Sequence, residues 1–299
     1  MVLIKKQQTN IMKKIHVGFL LSYDYELLKF SLPPVYKSAD RIFLARDKAL
    51  RTWKGQHFTI DPKFYDWLKA FDVDHKIEIY EDDFYVAELS TIENDTRERT
   101  MLSHKMGIGN WLIQVDSDEY FIDFEKFITD LRQYDSYLDH PEKHKIQIFA
   151  FWLIIYKYTE NGILYIDKPQ KSVFATNYPN YKIARRTNER VIYLDSVVLH
   201  ESVARTESEL RFKLENWSHN IDVNKDFLNK WISVDETNYQ TMTDFYYIEP
   251  ERWKTLSYFP TKKIEEIKNY VSTAKNLKIT KSYLMMKNFG QWFKFLFKR

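Results

Sequence analysis

Three carboxylates, Asp116, Asp118 and Glu119, stand within four residues just past the apolar run Trp111, Leu112, Ile113 and Val115. Crowded hard oxygen donors of this kind suit Mg2+ or Mn2+, which take one or two carboxylates from a protein and their other ligands from substrate phosphate and water. An acidic turn that solvates the end of a strand has the same composition, so the four residues alone leave both meanings open. Other phosphate and metal templates fail. The chain has no G-x-x-x-x-G-K-[ST] loop, and in "GIGNWL" Leu112 stands where a dinucleotide fingerprint needs its third glycine. "DSDEYF" puts Phe121 at the turn glycine of a calcium loop, and in "HESVA" Ala204 replaces the second histidine of a zincin helix.

The elements that must position these acids follow from hydrophobic period. Trp111 to Val115, bounded by Gly109 and by the acids, predicts a short strand buried on both faces. Ile15 to Leu21, "DRIFLARD" ending at Asp47, and "KIEIYEDDF" ending in Glu81, Asp82 and Asp83 predict three earlier strands. Between them "YELLKFSLPPVY", interrupted by Pro33 and Pro34, and "TIENDTRERTMLSHKMG" predict helices. Strand and helix thus alternate through residue 121, and three strands end in acids: the pattern of an α/β fold with a parallel, nucleotide-binding type of sheet. Beyond it, "DFEKFITDLRQY" spaces Phe124, Phe127, Ile128 and Leu131 as one helix face, "KIQIFAFWLIIYKY" and "RVIYLDSVVLHE" predict strands, and "ESELRFKLENWSHN" predicts a helix. No clean linker precedes residue 222 or so. The expected organisation is one mixed domain over residues 12–222 and a C-terminal helical extension over 223–299, with residues 1–11 as a leader.

Composition narrows the classes. The chain of 299 residues has no cysteine, which excludes disulfides and thiolate metal sites. Aromatics at 17% with only six glycines describe a packed globular protein. The longest apolar run, "FAFWLII" at 149–155, is far short of the ~20 residues of a membrane span. No secretory pattern opens the chain, so a cytoplasmic location is expected. Net charge is +3, yet residues 267–299 hold eight Lys or Arg and no acid, leaving a body of net −5 with a basic tail. An acidic body argues against nucleic acid as a partner, and the tail favours an anionic surface.

The residues carry a resemblance. Asp116-Ser117-Asp118 after an apolar strand, preceded by "GNW" and by Arg99, resembles the D-x-D region of bacterial GT-A glycosyltransferases, family-2-like enzymes that move sugars from nucleotide donors. "KIARRTNERVIYLDSVVLHESV" and "ELRFKLENWSHN" look like the paired-arginine, His-Glu and later-histidine segments of lipopolysaccharide-core β-glycosyltransferases, so that the likeness spans residues 15 to 222. It implies a GT-A fold, a nucleotide-sugar donor, UDP-sugar above all, and Mn2+ or Mg2+ as cofactor. It implies that Asp118 binds the metal, that Asp116 contacts ribose or shares the metal, and that His219 reaches the metal or diphosphate. Glu119 then orients either group or faces solvent. Glu201 becomes the base that takes the acceptor proton, with His200 beside it; taken alone, such a pair also suits a structural strand end.

The nucleotide is expected across the ends of the first strands, against Leu21, Ser22 and Tyr23, Asp47, Glu81 and Asp82, where acids accept hydrogen bonds from a base or ribose. Those acids equally suit helix caps. Arg99 is the expected phosphate contact, with Arg97 an equal competitor. The chain departs from the wider family after the second strand, where "ARDKALRTW" stands in place of D-x-x-S-x-D.

In the tail "KNFGQWFKFLFKR", Phe289, Trp292, Phe293 and Leu296 recur at helical spacing among Lys287, Lys294, Lys298 and Arg299. Such a helix suits a membrane interface, or a dock on the protein's own core, since Phe295 and Phe297 widen the apolar stripe. The function expected is a metal-dependent inverting glycosyltransferase acting on a lipopolysaccharide, capsule or other lipid-linked or surface glycan, peripheral to the inner face of the cytoplasmic membrane. A nucleotidyltransferase would need a Gly-Ser phosphate turn, which the chain lacks. A non-catalytic nucleotide- or glycan-binding protein is the rival from another class.

Overall fold

The computed structural model of the chain describes residues 13–218, 223–275 and 277–296. Its centre is Ile15–Leu20 (β1), buried at every position. Helical returns lay its neighbours beside it: Leu28–Tyr36 (α1) leads to Arg41–Asp47 (β2), Pro62–Phe71 (α2) to Ile77–Asp82 (β3), and Thr91–Met106 (α3) to Trp111–Val115 (β4). β1 pairs in parallel with β2 on one side and β4 on the other, and β2 pairs in parallel with β3. Strand order therefore reverses at β1, and the crevice past the ends of β1 and β4 is where open α/β sheets receive ligands.

Past β4 the sheet becomes mixed. Glu119–Phe121 (β5) is followed by Phe124–Arg132 (α4), Ile146–Tyr158 (β6), Ile163–Tyr165 (β7), Gln170–Thr176 (β8) and Arg190–His200 (β9). β8 runs antiparallel between β4 and β6, while β9 pairs in parallel with β6 and antiparallel with β5. Then come Glu207–Asn216 (α5), Phe227–Ser233 (α6), Ser257–Phe259 (β10), Ile264–Thr273 (α7) and Lys281–Leu296 (α8). Helices cover both faces: α1 and α4 bury Leu32, Val35, Phe127 and Leu131 against Val17 and Ile113, and α3 buries Leu102 and Met106 against Phe43 and Leu112. Residues beyond 222 add a second apolar cluster on the same sheet: Phe227, Trp231, Phe245 and Trp253 pack on Ile154, Tyr156 and Leu164, and β10 pairs with β7.

Local chemistry explains the element ends. Ser90 and Glu93 form a reciprocal capping box that starts α3, and Gly107 at φ +91° stops it. A Cβ on Gly18 would lie 2.8 Å from Leu102 Cδ2 and from Met106 Sδ, so this glycine lets α3 sit close on β1. α1 corrects one expectation, since it runs through Pro33 and Pro34 without a break. The prolines remove N–H donors toward the turn at Lys29 and Phe30, and Phe30 faces solvent while Leu28, Leu32 and Val35 hold the buried side in place.

One buried ion pair fixes the strand end that carries the acids. Glu119 is fully buried; its Oε2 accepts from Arg185 Nη1 at 2.9 Å and from the Asp116 amide at 2.8 Å, and its Oε1 accepts from Arg185 Nη2 and from Trp152 Nε1 at 2.8 Å. Arg185 also donates to the Gln114 carbonyl at 2.8 Å and lies over the Phe174 ring. β4, β5, β6, β8 and the turn at 183–186 thus meet at one pair. Removing one member of such a pair leaves a buried, uncompensated charge. Glu119→Gln is therefore expected to lower the free energy of unfolding by about 3 kcal/mol, measured by urea denaturation; a change within 0.5 kcal/mol (roughly the surface-substitution range) would mean that the pair is not what fixes this turn.

Candidate functional site

A cavity of about 640 Å3 opens past the C-terminal ends of β1, β2 and β4, a size suited to a cofactor or small-molecule substrate. Leu21, Ser22, Tyr23, Asp47, Arg99, Asp116 and Asp118 line it, as the sequence predicts for a site at these strand ends. Glu81 and Asp82 do not. They end β3, two strands from the crevice; Glu81 pairs with Arg46, and Asp82 accepts from the Tyr80 hydroxyl at 2.7 Å. Asp47 reaches the wall, but its carboxylate accepts from Arg51 Nε at 2.9 Å and from the amides of Ala49 and Phe84 at 3.0 and 3.1 Å. Burial would raise its pKa, and Arg51 with these amides outweighs that and holds it below the ordinary range.

The two aspartates of D-x-D sit among cations. Asp116 Oδ1 lies 2.9 Å from Arg99 Nη2 and 3.9 Å from Arg185 Nη1. Asp118 Oδ2 accepts from Arg205 Nη2 and from Lys213 Nζ, each at 2.8 Å, and Arg205 reaches Asp24 at 3.2 Å. Burial opposes ionisation of both carboxyls. Lys213 and Arg205 overcome it at Asp118, holding that group well below the carboxylate range, and Arg99 and Arg185 hold Asp116 below its ordinary value. Between Arg99 and Arg97 the geometry separates the roles, because Arg97 donates to the Asp83 and Phe84 carbonyls at 2.7 and 2.8 Å while Arg99 stands in the wall.

β9 delivers the His-Glu pair to the same place. The β5–β9 register sets Glu119 opposite His200, and the Glu201 amide donates to the Asp118 carbonyl at 3.0 Å. His200 lines the cavity with Nε2 3.6 Å from Asp118 Oδ1. Burial, only partly countered by Asp118, pushes its pKa down to about 4, so the imidazole is neutral at pH 7. Glu201 lies behind the wall, buried, and accepts from the Tyr158 hydroxyl. Burial raises its pKa, with Tyr158 and Arg205 pulling the other way. His219 lies outside the described residues.

Among the described residues, no three His, Asp or Glu side chains converge to hold a metal by themselves. The donor set still fits an ion that takes most of its ligands from substrate: Asp118 Oδ1 faces the neutral His200 Nε2 beyond hydrogen-bond length, and Asp116 is partly open to the cavity.

The sequence signals missed other wall residues. Asp95 and Glu98 come from α3, Lys213 and Asn216 from α5, and Tyr246, Tyr247 and Arg252 from the segment before β10. Burial lifts the Glu98 carboxyl to about 8, against the pull of its hydrogen bond from Trp53 Nε1 at 2.7 Å. The i, i+3, i+4 spacing of Asp95, Glu98 and Arg99 on α3 reads as an ordinary charged helix face. The tyrosines read as core.

No family model matches the chain, and no curated protein matches it in sequence. Among solved structures, mannose-6-phosphate isomerase from Helicobacter pylori aligns at 12% identity and a TM-score of 0.29 over 52% of this chain and 56% of that one. S. aureus TarS 1-349 aligns at 11% identity and a TM-score of 0.30 over 93% of this chain and 89% of that one. Likeness at these values carries no argument about fold or activity. The site must speak through its own geometry.

Proposed function

We propose that the protein transfers a sugar from a nucleotide donor, a UDP-sugar first among them, to a hydroxyl of a glycan acceptor, by a GT-A-like, inverting route. One observation carries this: Asp116 and Asp118 at the end of β4, and His200 and Glu201 some 80 residues later at the end of β9, meet at the switch point of the sheet beside a ligand-sized cavity. Leu21 to Tyr23 and Arg99 then lie where a nucleoside diphosphate would run along the wall.

The proposed roles follow from charge. The acceptor oxygen bonds to the anomeric carbon, the bond from that carbon to the diphosphate breaks with its electron pair on the diphosphate, and the acceptor proton passes to Glu201, whose side chain must first turn from Tyr158 through the wall into the cavity. Asp118, with Asp116 and His200 beside it, would hold Mn2+ or Mg2+, which when bound neutralises the leaving diphosphate. Arg205 and Lys213 hold the Asp118 carboxylate ionised and aimed, and Lys213, which with Arg99 lines the cavity, is also a cation on the side of the same phosphates. That clamp supports a second reading, in which cations alone grip the diphosphate.

Calorimetry with UDP, GDP, CDP and ADP, each with Mn2+ and with EDTA, separates them. The metal reading expects one nucleotide to bind at least tenfold more tightly with Mn2+ and to lose that gain in Asp118→Asn. The cation reading expects binding in EDTA that tightens in Asp118→Asn, because Lys213 in the cavity wall is released. Binding of no nucleotide under any condition would overturn both.

If Glu201 is the base, it must be ionised to work, and its pKa is raised. Turnover with the donor found above should therefore fall tenfold per pH unit as pH drops below that raised value, and hold above it. Glu201→Gln should lose about a hundredfold or more in kcat while donor affinity stays within twofold. An unchanged pH profile in that variant would assign Glu201 to support of Tyr158 instead.

A further inference from the structure

α8 is oriented with its polar side inward. Asn288 accepts from the Tyr193 amide at 2.8 Å and donates to the Tyr193 carbonyl at 3.1 Å, pinning the helix along the part of β9 that β5 leaves uncovered. The opposite face presents Met285, Met286, Phe289, Trp292 and Phe293, exposed by 73, 63, 62, 52 and 44%. A soluble helix ordinarily buries such a stripe. This corrects the alternative of an aromatic face docked on the protein's own core: the helix docks through Tyr283, against Phe151, and Asn288, and Phe289, Trp292 and Phe293 point away.

Cations stand along the docked, polar side of the helix, as in a helix lying in an interface. Lys171 stands 5.9 Å from the Tyr193 ring, and Lys287 lies 5.5 Å over the Tyr283 ring. After burial, the nearby Lys287 charge is what lowers the Lys171 pKa. Among the described residues neither has an ion-pair partner, nor does Arg186, which with Lys171 lines the cavity. The basic helix and the cavity rim are thus continuous. A second copy docking about a two-fold axis would set this acid-free, basic segment against itself, whereas lipid phosphates complement it. No described helix is long and apolar enough to cross a membrane, which leaves attachment in the plane of the interface.

We infer that the outer face of α8, with Lys287 and the rim cations Lys171 and Arg186, docks the protein on an anionic lipid bilayer, with the aromatics in the acyl boundary and the cavity rim at the headgroups. The docking does not depend on which group the cavity transfers.

Co-sedimentation of the full chain with phosphatidylglycerol–phosphatidylcholine vesicles tests it, with pure phosphatidylcholine vesicles as the uncharged arm. The expected result is binding to the anionic vesicles at least tenfold above the neutral ones, weakened by 0.5 M salt. Phe289→Ser/Trp292→Ser should abolish it, and Lys171→Gln or Lys287→Gln should each weaken it about fivefold. Val73→Ser, which removes an isolated exposed apolar side chain, should change nothing. Both serine substitutions fall on solvent-facing positions, and an unchanged circular dichroism melt confirms the fold. Equal binding to both vesicle types, no binding, or retention by the double serine variant would overturn the inference. So would a lipid-free dimer, seen by sedimentation equilibrium, that the same double variant dissociates.

Discussion

The Glu119–Arg185 pair is the constraint on which the site depends. A strand end rich in carboxylates can face a cavity only if the charges that do not face it are neutralised inside the protein. Glu119 accepts hydrogen bonds from two guanidinium nitrogens, an indole and the Asp116 amide. That last bond sets the backbone of Asp116, so the direction of the first D-x-D aspartate is decided by a carboxylate three residues later and an arginine far along the chain. The pair gains little net stability from its own attraction, since desolvation offsets most of it. What it supplies is geometry, because any displacement leaves four donors without an acceptor.

A second consequence concerns charge balance in the cavity. Asp118 is buried and ionised, and it stays so because the cations Lys213 and Arg205 hold it. Arg205 bridges Asp24, just past β1, to Asp118, just past β4, across the reversal in strand order. The crevice of the sheet is thereby closed by ion pairs from outside the sheet. A polyanion entering it meets dipoles and charges already oriented, and little reorganisation is left to be done at the moment of binding.

The legibility of these features in the sequence follows the range of the interactions. β1, β2, β4, α3 and α4 are readable because each is specified by its own period and its own caps: Ser90 with Glu93, or Phe124 with Phe127 and Leu131. The cluster at Asp116 and Asp118 is readable for the same reason, as a break in an apolar run. Glu119 is not, because the arginine that makes it a core residue lies 66 positions away. Glu81 and Asp82 show the opposite limit. Their strand ends in acids just as β2 and β4 do, and only the strand order tells that β3 stands away from the crevice. The antiparallel half of the sheet was only partly legible, since β5, β7 and β10 are three residues each, too short to show a period.

The segment before β10 carries this furthest. Tyr246 and Tyr247 pack on Trp253 and Trp217 as a core cluster would, and the same rings line the cavity. Aromatic side chains serve both purposes because a large apolar face can bury one edge and present another. Composition therefore cannot distinguish wall from core here. The distinction arises because residues past 222 fold back onto β6 and β7, so that a stretch expected as an appendage closes one side of the crevice while α8, further along, covers the uncovered edge of β9. The basic C-terminal region and the charged cavity are then parts of one surface, and the position of α8 on β9 brings Lys287 next to the cavity wall at Lys171.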